Sequence, residues 1–186
     1  MKKFELTTEF ITNAFGKKLF RIKALVEFGD VKAGELGGYV EKEENVSQDG
    51  NAWVSGDARV YDDALVYGNA KVYDDAWVHG NAKVFDNAEV SGDAKVYGNA
   101  RVYGNAWVYG DADYALVQGF GTEFRCTTFY RGKNKKIMVN CGCFHGDLEG
   151  FRKQVKETRN GKIAKEYLMI ADLMEYHFTS EDSSDE

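Results

Sequence analysis

The chain has 186 residues, a formal net charge of −6, three cysteines and no proline. It lacks an apolar run long enough for a transmembrane helix and a signal-like N-terminus, so we expect a soluble, cytoplasmic protein with no membrane partner. Residues 36–116 carry 14 acidic and 6 basic side chains. We therefore do not expect direct nucleic-acid binding along this segment, because it would repel phosphate.

The N-terminal segment contains one alternating apolar pattern, over residues 18–28. Residues two apart share a face of an extended chain, and this face would hold Phe20, Ile22, Ala24, Val26 and Phe28. The pattern predicts a strand that docks on the segment that follows. Residues 1–35 are thus interpreted as an N-terminal cap.

Thirteen six-residue units follow in residues 36–113, and the ten from Val54 onward closely fit Val-x-(Gly/Asp)-(Asn/Asp)-Ala-x. Ala58 and Val60 are two apart, so both point inward from a short strand. The Gly, Asp and Asn pairs tolerate left-handed backbone and predict a corner after each strand. The chain should therefore wind into a coil. The first three units are weaker, with Lys42 and Gln48 where Val belongs.

These units resemble the hexapeptide repeats of left-handed parallel β-helices, which have an aliphatic first residue and a small fifth one. The resemblance implies three units per triangular coil, and so about 4–5 triangular coils over residues 36–116. The wider layout, over residues 20–40, the repeats and 139–146, resembles uncharacterised phage and prophage hexapeptide-repeat proteins. Proteins of that group are often labelled polymer-forming or acyltransferase-like.

After the repeats, residues 123–131 and 136–145 predict a β-hairpin around Lys133 and Asn134. Asp147 is a good N-cap for a helix that buries Leu148, Phe151 and Val155 and ends at Asn160 and Gly161. Residues 163–178 predict a second helix. The chain is thus predicted to be mainly β, with a ββαα domain over 117–179 and a disordered acidic tail over 180–186.

The outward position after each repeat Val is mostly Tyr or Phe, and an 18-residue coil would align these rings in columns. Stacked columns would stabilise the sheets. They could also form a protein-contact surface, including one for a homo-oligomer (dimer or trimer). The candidate binding residues are Tyr61, Tyr67, Tyr73, Trp77, Phe85, Tyr97, Tyr103, Trp107 and Tyr109.

The cysteines allow two interpretations. Cys141, Cys143 and His145 alternate along one predicted strand, and Cys126 lies opposite Cys141 if the hairpin is centred on residues 133–134. Four such ligands could form a Cys₃His zinc site. A Cys-x-Cys-x-His strand spreads its ligands over about 13 Å, which is too long for one tetrahedron unless the strand bends. We expect no cofactor and free thiols packed against the helices, with zinc as the alternative.

His79 is the one histidine of the repeats, and the acyltransferase label makes it a candidate general base. The ten clean repeats carry no inserted loop, and the sequence supplies no orienting partner for His79. We therefore interpret His79 as a ring in a column and expect no enzyme. The favoured function is a non-catalytic binding or scaffold protein, with an acyl-CoA-dependent acyltransferase as the alternative. The phage resemblance suggests an accessory protein that binds a host macromolecule, such as a bacterial defence complex.

Overall fold

The computed structural model of the chain describes residues 2–110, 113–132 and 135–179. The chain divides into two compact units, Met1–Asp111 and Ala112–Glu186. The predicted turn at residues 133–134 and the predicted tail over 180–186 lie outside the described residues. No helix in the described part of the chain is long and apolar enough to span a bilayer.

The first unit begins with three longer strands and a short helical turn. These are β1 (Phe4–Thr12), β2 (Lys18–Ala24), β3 (Leu36–Val40) and a 3₁₀ turn at Glu43–Asn45. Ten two-residue strands follow: β4 (Trp53–Val54), β5 (Arg59–Val60), β6 (Leu65–Val66), β7 (Lys71–Val72), β8 (Trp77–Val78), β9 (Lys83–Val84), β10 (Glu89–Val90), β11 (Lys95–Val96), β12 (Arg101–Val102) and β13 (Trp107–Val108).

The short strands form a β-solenoid of about four coils. Each pairs in parallel with the strand one coil further on, so that Val54 pairs with Val72 and Val90 with Val108. Three sheets result, with orders β1-β2-β3-β5-β8-β11, β4-β7-β10-β13 and β6-β9-β12. The predicted repeat architecture is confirmed at this level.

Small apolar side chains fill the inside of the solenoid. The repeat Val and Ala residues from Ala58 to Val108 are at most 1% exposed. Between coils, the backbone N–H of Trp53 donates to Ala70 O (3.0 Å), and that of Ser55 donates to Val72 O (2.9 Å). This pattern recurs along the solenoid. Apolar burial and coil-to-coil hydrogen bonds therefore hold the same residues in place.

Three corners place Asp in the left-handed region, with φ of 60° at Asp62, 58° at Asp74 and 59° at Asp86. Each carboxylate accepts a hydrogen bond from the backbone N–H of the glycine one coil later. The donors are Gly80 (3.1 Å), Gly92 (3.3 Å) and Gly104 (3.4 Å). These bonds offset the conformational cost of a non-glycine residue at positive φ.

The N-terminal segment is a hairpin that extends one sheet of the solenoid. β2 pairs antiparallel with both β1 and β3, and β3 pairs in parallel with β5. The prediction of one continuous strand over 18–28 was wrong. The β2–β3 register shifts between Arg21 and Lys23, so Leu19 is buried with Ile22 and Ala24. The chain then leaves β2 for a tight turn.

Polar side chains close the first coil, and one of them, Gln48, stands where the repeat pattern has Val. Gln48 Oε1 accepts from the backbone N–H groups of Lys3 (2.7 Å) and Phe4 (3.2 Å), and its Nε2 donates to Phe4 O (3.1 Å). Lys3 is 4% exposed, and its Nζ donates to Ala52 O (2.9 Å). Burial lowers the pKa of Lys3 to about 8. Gln48 and Lys3 therefore satisfy backbone groups that an apolar residue would leave unpaired.

The second unit is a four-stranded antiparallel sheet followed by two helices. Its elements are β14 (Tyr114–Phe120), β15 (Arg125–Arg131), β16 (Ile137–Cys141), β17 (Phe144–Asp147), α1 (Leu148–Thr158) and α2 (Gly161–Thr179). Asp147 caps α1 as predicted, accepting from Gly150 N at 2.9 Å. Phe129 and Val139 of the sheet pack with Phe151 of α1 and Met174 of α2.

The predicted ββαα order was wrong, because the unit is ββββαα. The residues assigned to one strand over 136–145 form β16 and β17, which are separated by a turn where Gly142 has φ of 63°. The residues before the predicted hairpin form β14 and pair with β15. Tyr114 to Leu116, which were assigned to the repeat domain, therefore belong to this second sheet.

Candidate functional site

In two of the three columns, the rings after the repeat valines stack between coils, as the 18-residue spacing predicts. Tyr67 and Phe85 have ring centroids 4.7 Å apart, and Phe85 and Tyr103 are 4.5 Å apart. Tyr61 and His79 stack at 4.8 Å, and His79 and Tyr97 at 5.5 Å. The spacing of adjacent strands, about 4.8 Å, is close to that of stacked rings. The columns are therefore an integral part of the sheets.

The Tyr61 column is covered at one end. Tyr61 is only 3% exposed, because it packs with Leu19 of the hairpin and Tyr39 of β3. At the other end of the same column, Tyr97 is 52% exposed. Tyr61 therefore does not belong to an exposed surface in the structure, whereas Tyr97 does.

The Tyr67 column lies on the sheet β6-β9-β12 and is half-buried along its length. Tyr67, Phe85 and Tyr103, together with the neighbouring Lys83 and Arg101, are called the ringed face below. Burial raises the pKa of both tyrosines, partly opposed by the charge of Arg101. Their phenols therefore stay protonated at neutral pH and can donate hydrogen bonds.

The remaining candidate binding residues lie in separate places. Tyr73 borders a groove of about 300 Å³ on the sheet β4-β7-β10-β13, and its hydroxyl donates to Glu89 Oε2 (3.4 Å). The Trp77 ring lies under the Arg59 guanidinium, at 4.9 Å. Trp107 and Tyr109, in the last coil, are 44% and 62% exposed. The predicted set is thus spread over several faces and is not one site.

His79 lies between the rings of Tyr61 and Tyr97. Its Nδ1 is 4.0 Å from Asp62 Oδ2, which is too long for a hydrogen bond. Asp62 is itself paired with Lys17 Nζ (2.5 Å). Burial lowers the pKa of His79, and the charge of Asp62 only partly opposes this, so the imidazole is neutral at pH 7. This is the environment of a stacked ring, without the aligned partner that a general base needs.

The four candidate zinc ligands do not converge. Cys141 pairs with Thr127 rather than with Cys126, so the predicted register was wrong by one residue. Because neighbouring residues of a strand point to opposite faces, Cys126 and Cys141 lie on different faces of the sheet. His145 Nδ1 is 2.6 Å from Asn140 Oδ1. Within the described ranges, no group of three His, Cys, Asp or Glu side chains could hold a metal ion.

Cys141 instead packs on the helix side of the sheet. Its Sγ accepts from Thr127 Oγ1 (3.1 Å), and it lies with Cys143 and Phe144 beside a cavity of about 70 Å³. Such a volume suits one or two water molecules rather than an organic ligand. Cys126, Cys141 and Cys143 form no disulfide bond.

The groove beside Tyr73 was missed by sequence reasoning. Asp30 and Glu35, from the N-terminal segment, border it opposite Asn69 and Lys71 of the repeats. A repeat pattern indicates which repeat residues share a column. It does not show where a non-repeating segment lies against that column.

Comparison with known proteins supports the architecture. Residues 64–80 and 94–110 match the family model described as the YdcK Beta solenoid repeat. Each matched stretch covers nearly one coil of the solenoid. No curated protein matches the chain. The chain is therefore a repeat β-solenoid protein whose repeats are similar to the YdcK β-solenoid repeat.

Proposed function

We propose that this is a non-catalytic binding or scaffold protein whose solenoid presents the ringed face to a protein partner. The observation that carries the proposal is the half-exposed stack of Tyr67, Phe85 and Tyr103, bordered by Lys83 and Arg101. Tyr and Arg are among the residues that contribute most to protein interfaces. Because stacking holds these rings in place, binding would cost little side-chain entropy.

The same face suits a second copy of the chain. Two-fold contacts need a surface that is complementary to itself, and a column of stacked rings meets that condition when two copies are antiparallel. A dimer through this face is thus the homo-oligomeric form that a two-fold contact supports, and a trimer would instead need a contact between two different surfaces. The three sheets and the hexad resemblance also support a left-handed, triangular coil.

The origin and target of the protein are a further part of the proposal, and they rest on sequence resemblance. A cytoplasmic phage accessory protein would bind a host macromolecule, with a defence complex as the specific candidate. The excess of acidic over basic side chains in residues 36–116 favours a target with a basic surface.

Charge reversal on matched repeat positions tests the ringed face. Arg101 and Lys95 both directly precede a repeat Val, but they lie on the different strands β12 and β11. We expect Arg101→Glu and Phe85→Ser to lower the affinity for a captured host partner, or for a second copy, by about ten-fold or more. Lys95→Glu should leave that affinity unchanged.

Affinity capture from a bacterial lysate and size-exclusion chromatography with light scattering provide the measurements. Equal losses in Arg101→Glu and Lys95→Glu would argue against the ringed face. A monomer that captures nothing would count against the binding function itself. Thermal stabilisation by acetyl-CoA that disappears in His79→Ala would instead support the acyltransferase alternative.

A further inference from the structure

The groove on the sheet β4-β7-β10-β13 is built where a tight turn lies against the solenoid. Phe28 and Val31 exchange two backbone hydrogen bonds, of 3.1 and 2.9 Å, around Gly29, which has φ of 52°. The Phe28 ring contacts the Trp53 ring edge-on, with centroids 5.4 Å apart. Asp30 Oδ2 lies 2.7 Å from Lys71 Nζ. The turn is thus attached to the sheet at two points.

The groove has a volume of about 300 Å³, at the lower end of the range for small-molecule sites. Its aromatic residues are Trp53 and Tyr73, and its amides are Asn51 and Asn69. Asn51 Nδ2 donates to Asn69 Oδ1 (3.1 Å), which holds both amides in place. Asn69 Nδ2 in turn donates to Asn87 Oδ1 (3.1 Å). Since each amide has two N–H donors, one N–H of each is left for a ligand.

Trp53 borders the groove with a side chain that is almost fully buried. The residue is 5% exposed, and its Nε1 is buried without an acceptor among the described residues. Because Nε1 exposes less than 1 Å² of surface, a ligand in the groove would lie against other atoms of Trp53. The indole N–H is therefore a nearby reporter of binding rather than a donor to the ligand.

The charges of the groove exclude some ligand classes. Asp30 and Glu35 outnumber Lys71, and Asp30 already pairs with it. One oxygen of Glu35 accepts from Lys32 N (3.1 Å). An anionic ligand would therefore be repelled by a net negative site, because the cation that lines it, Lys71, is already paired with Asp30. An uncharged ligand with several hydroxyl groups suits the mixture of donors and acceptors, since a hydroxyl is both.

We propose that this groove binds a small uncharged polyol, namely one saccharide ring, between the turn at Phe28–Val31 and the side chains of Trp53, Asn69 and Lys71. The C–H face of the ring would lie against the partly exposed ring of Tyr73. Its hydroxyls would bond with the amides, the ammonium and the free carboxylate oxygen atoms. This inference is independent of the ringed face, which belongs to another sheet.

The test is a titration of the full chain followed by NMR of the indole N–H groups. The chain has three tryptophans, and Trp53→Phe assigns the Trp53 resonance. The probes are D-glucose, D-galactose, D-mannose and N-acetyl-D-glucosamine. Glucose 6-phosphate and arginine are the charged comparisons. We expect at least one neutral sugar to shift the Trp53 resonance and leave those of Trp77 and Trp107 in place, with a Kd of about 1 mM.

Matched variants locate the binding. Asn69→Ala and Lys71→Ala should each weaken it by about five- to ten-fold. The control variants Asn81→Ala and Lys95→Ala occupy equivalent repeat positions outside the groove and should leave the Kd unchanged. All four positions are exposed, and the same spectra verify the fold.

Three results would overturn the proposal. The first is an unmoved Trp53 resonance with every neutral sugar at about 50 mM, well above the expected Kd. The second is tighter binding of glucose 6-phosphate or arginine than of any neutral sugar. The third is an equal loss of affinity in the groove variants and their controls. Phe85→Ser, which tests the ringed face, should leave the titration unchanged.

Discussion

Replacing Gly92 with alanine should destabilise the solenoid more than replacing Gly98, although the two glycines occupy equivalent corners. Both have positive φ, 60° at Gly92 and 66° at Gly98. A Cβ at Gly92 would lie closer than 3.0 Å to the carbonyl oxygen of Tyr109 in the next coil. A Cβ at Gly98 would have no atom within 4 Å.

The expected magnitude follows from two contributions. Alanine in the left-handed region costs about 1–2 kcal/mol, and the reduced entropy of the unfolded chain offsets about 0.4–1 kcal/mol of this. Gly98→Ala should therefore lower the free energy of unfolding by about 1 kcal/mol. Gly92→Ala must also displace main chain, at an added cost of about 1–3 kcal/mol. The free energies of unfolding of the two variants should thus differ by about 1–3 kcal/mol.

Urea unfolding followed by tryptophan fluorescence measures this difference. Trp53, Trp77 and Trp107 are the three tryptophans of the chain, and all lie in the first unit. The signal therefore reports on the solenoid rather than on the second unit. Equal losses of stability in the two variants, or a larger loss in Gly98→Ala, would refute the close packing of successive corners.

Three further substitutions test electrostatic features of the fold. Burial lowers the pKa of His79 from its ordinary 6.5, so the unfolded chain binds a proton first as pH falls and stability decreases. Urea unfolding at about pH 7.5 and 5 should show that acid lowers the free energy of unfolding less in His79→Phe than in the parent chain. An equal decrease in both would contradict this. Lys3 loses its proton at about pH 8 when folded and at 10.5 when unfolded, so stability should rise with pH in this window, by at most about 1.4 kcal/mol per pH unit. Lys3→Met should lack that rise in the same assay, and retention of the full slope would exclude Lys3 as its source. Arg152 lies within 3.0 Å of three largely exposed carboxylates, so Arg152→Met should destabilise the second unit by about 1 kcal/mol, and by less in high salt. Helical circular dichroism measures that effect, and a salt-independent loss would indicate lost packing instead.

The solenoid was predictable because its signal is local and repeated. Val and Ala two residues apart recur with Gly, Asp or Asn after them, and one structural unit explains every repeat. Asp147 and the apolar spacing of Phe151 and Val155 predicted the first helix for the same reason, since its cap and its buried face lie within one segment.

The remaining features depend on contacts that are distant in sequence. Gln48 breaks the repeat pattern, and its role is clear only when Lys3 and Phe4 of β1 lie beside it. The Cys141 register depended on where the hairpin turned, and the turn at Gly142 then separated Cys143 from that strand. The groove beside Tyr73 likewise combines Asp30 with Lys71, 41 positions away.

The alternation of Asp and Gly at the corners constrains how the length of this protein can change during evolution. Removing residues 78–83 would bring Asp86 over Asp62 in place of Gly80, setting two carboxylates against each other at one corner. Removing residues 78–95 would instead bring Gly98 over Asp62 and keep glycine opposite each remaining corner Asp. Removing residues 78–89 would likewise bring Gly92 over Asp62 and Gly104 over Asp74. Homologues that differ from this chain by a single repeat in this region should therefore be rare.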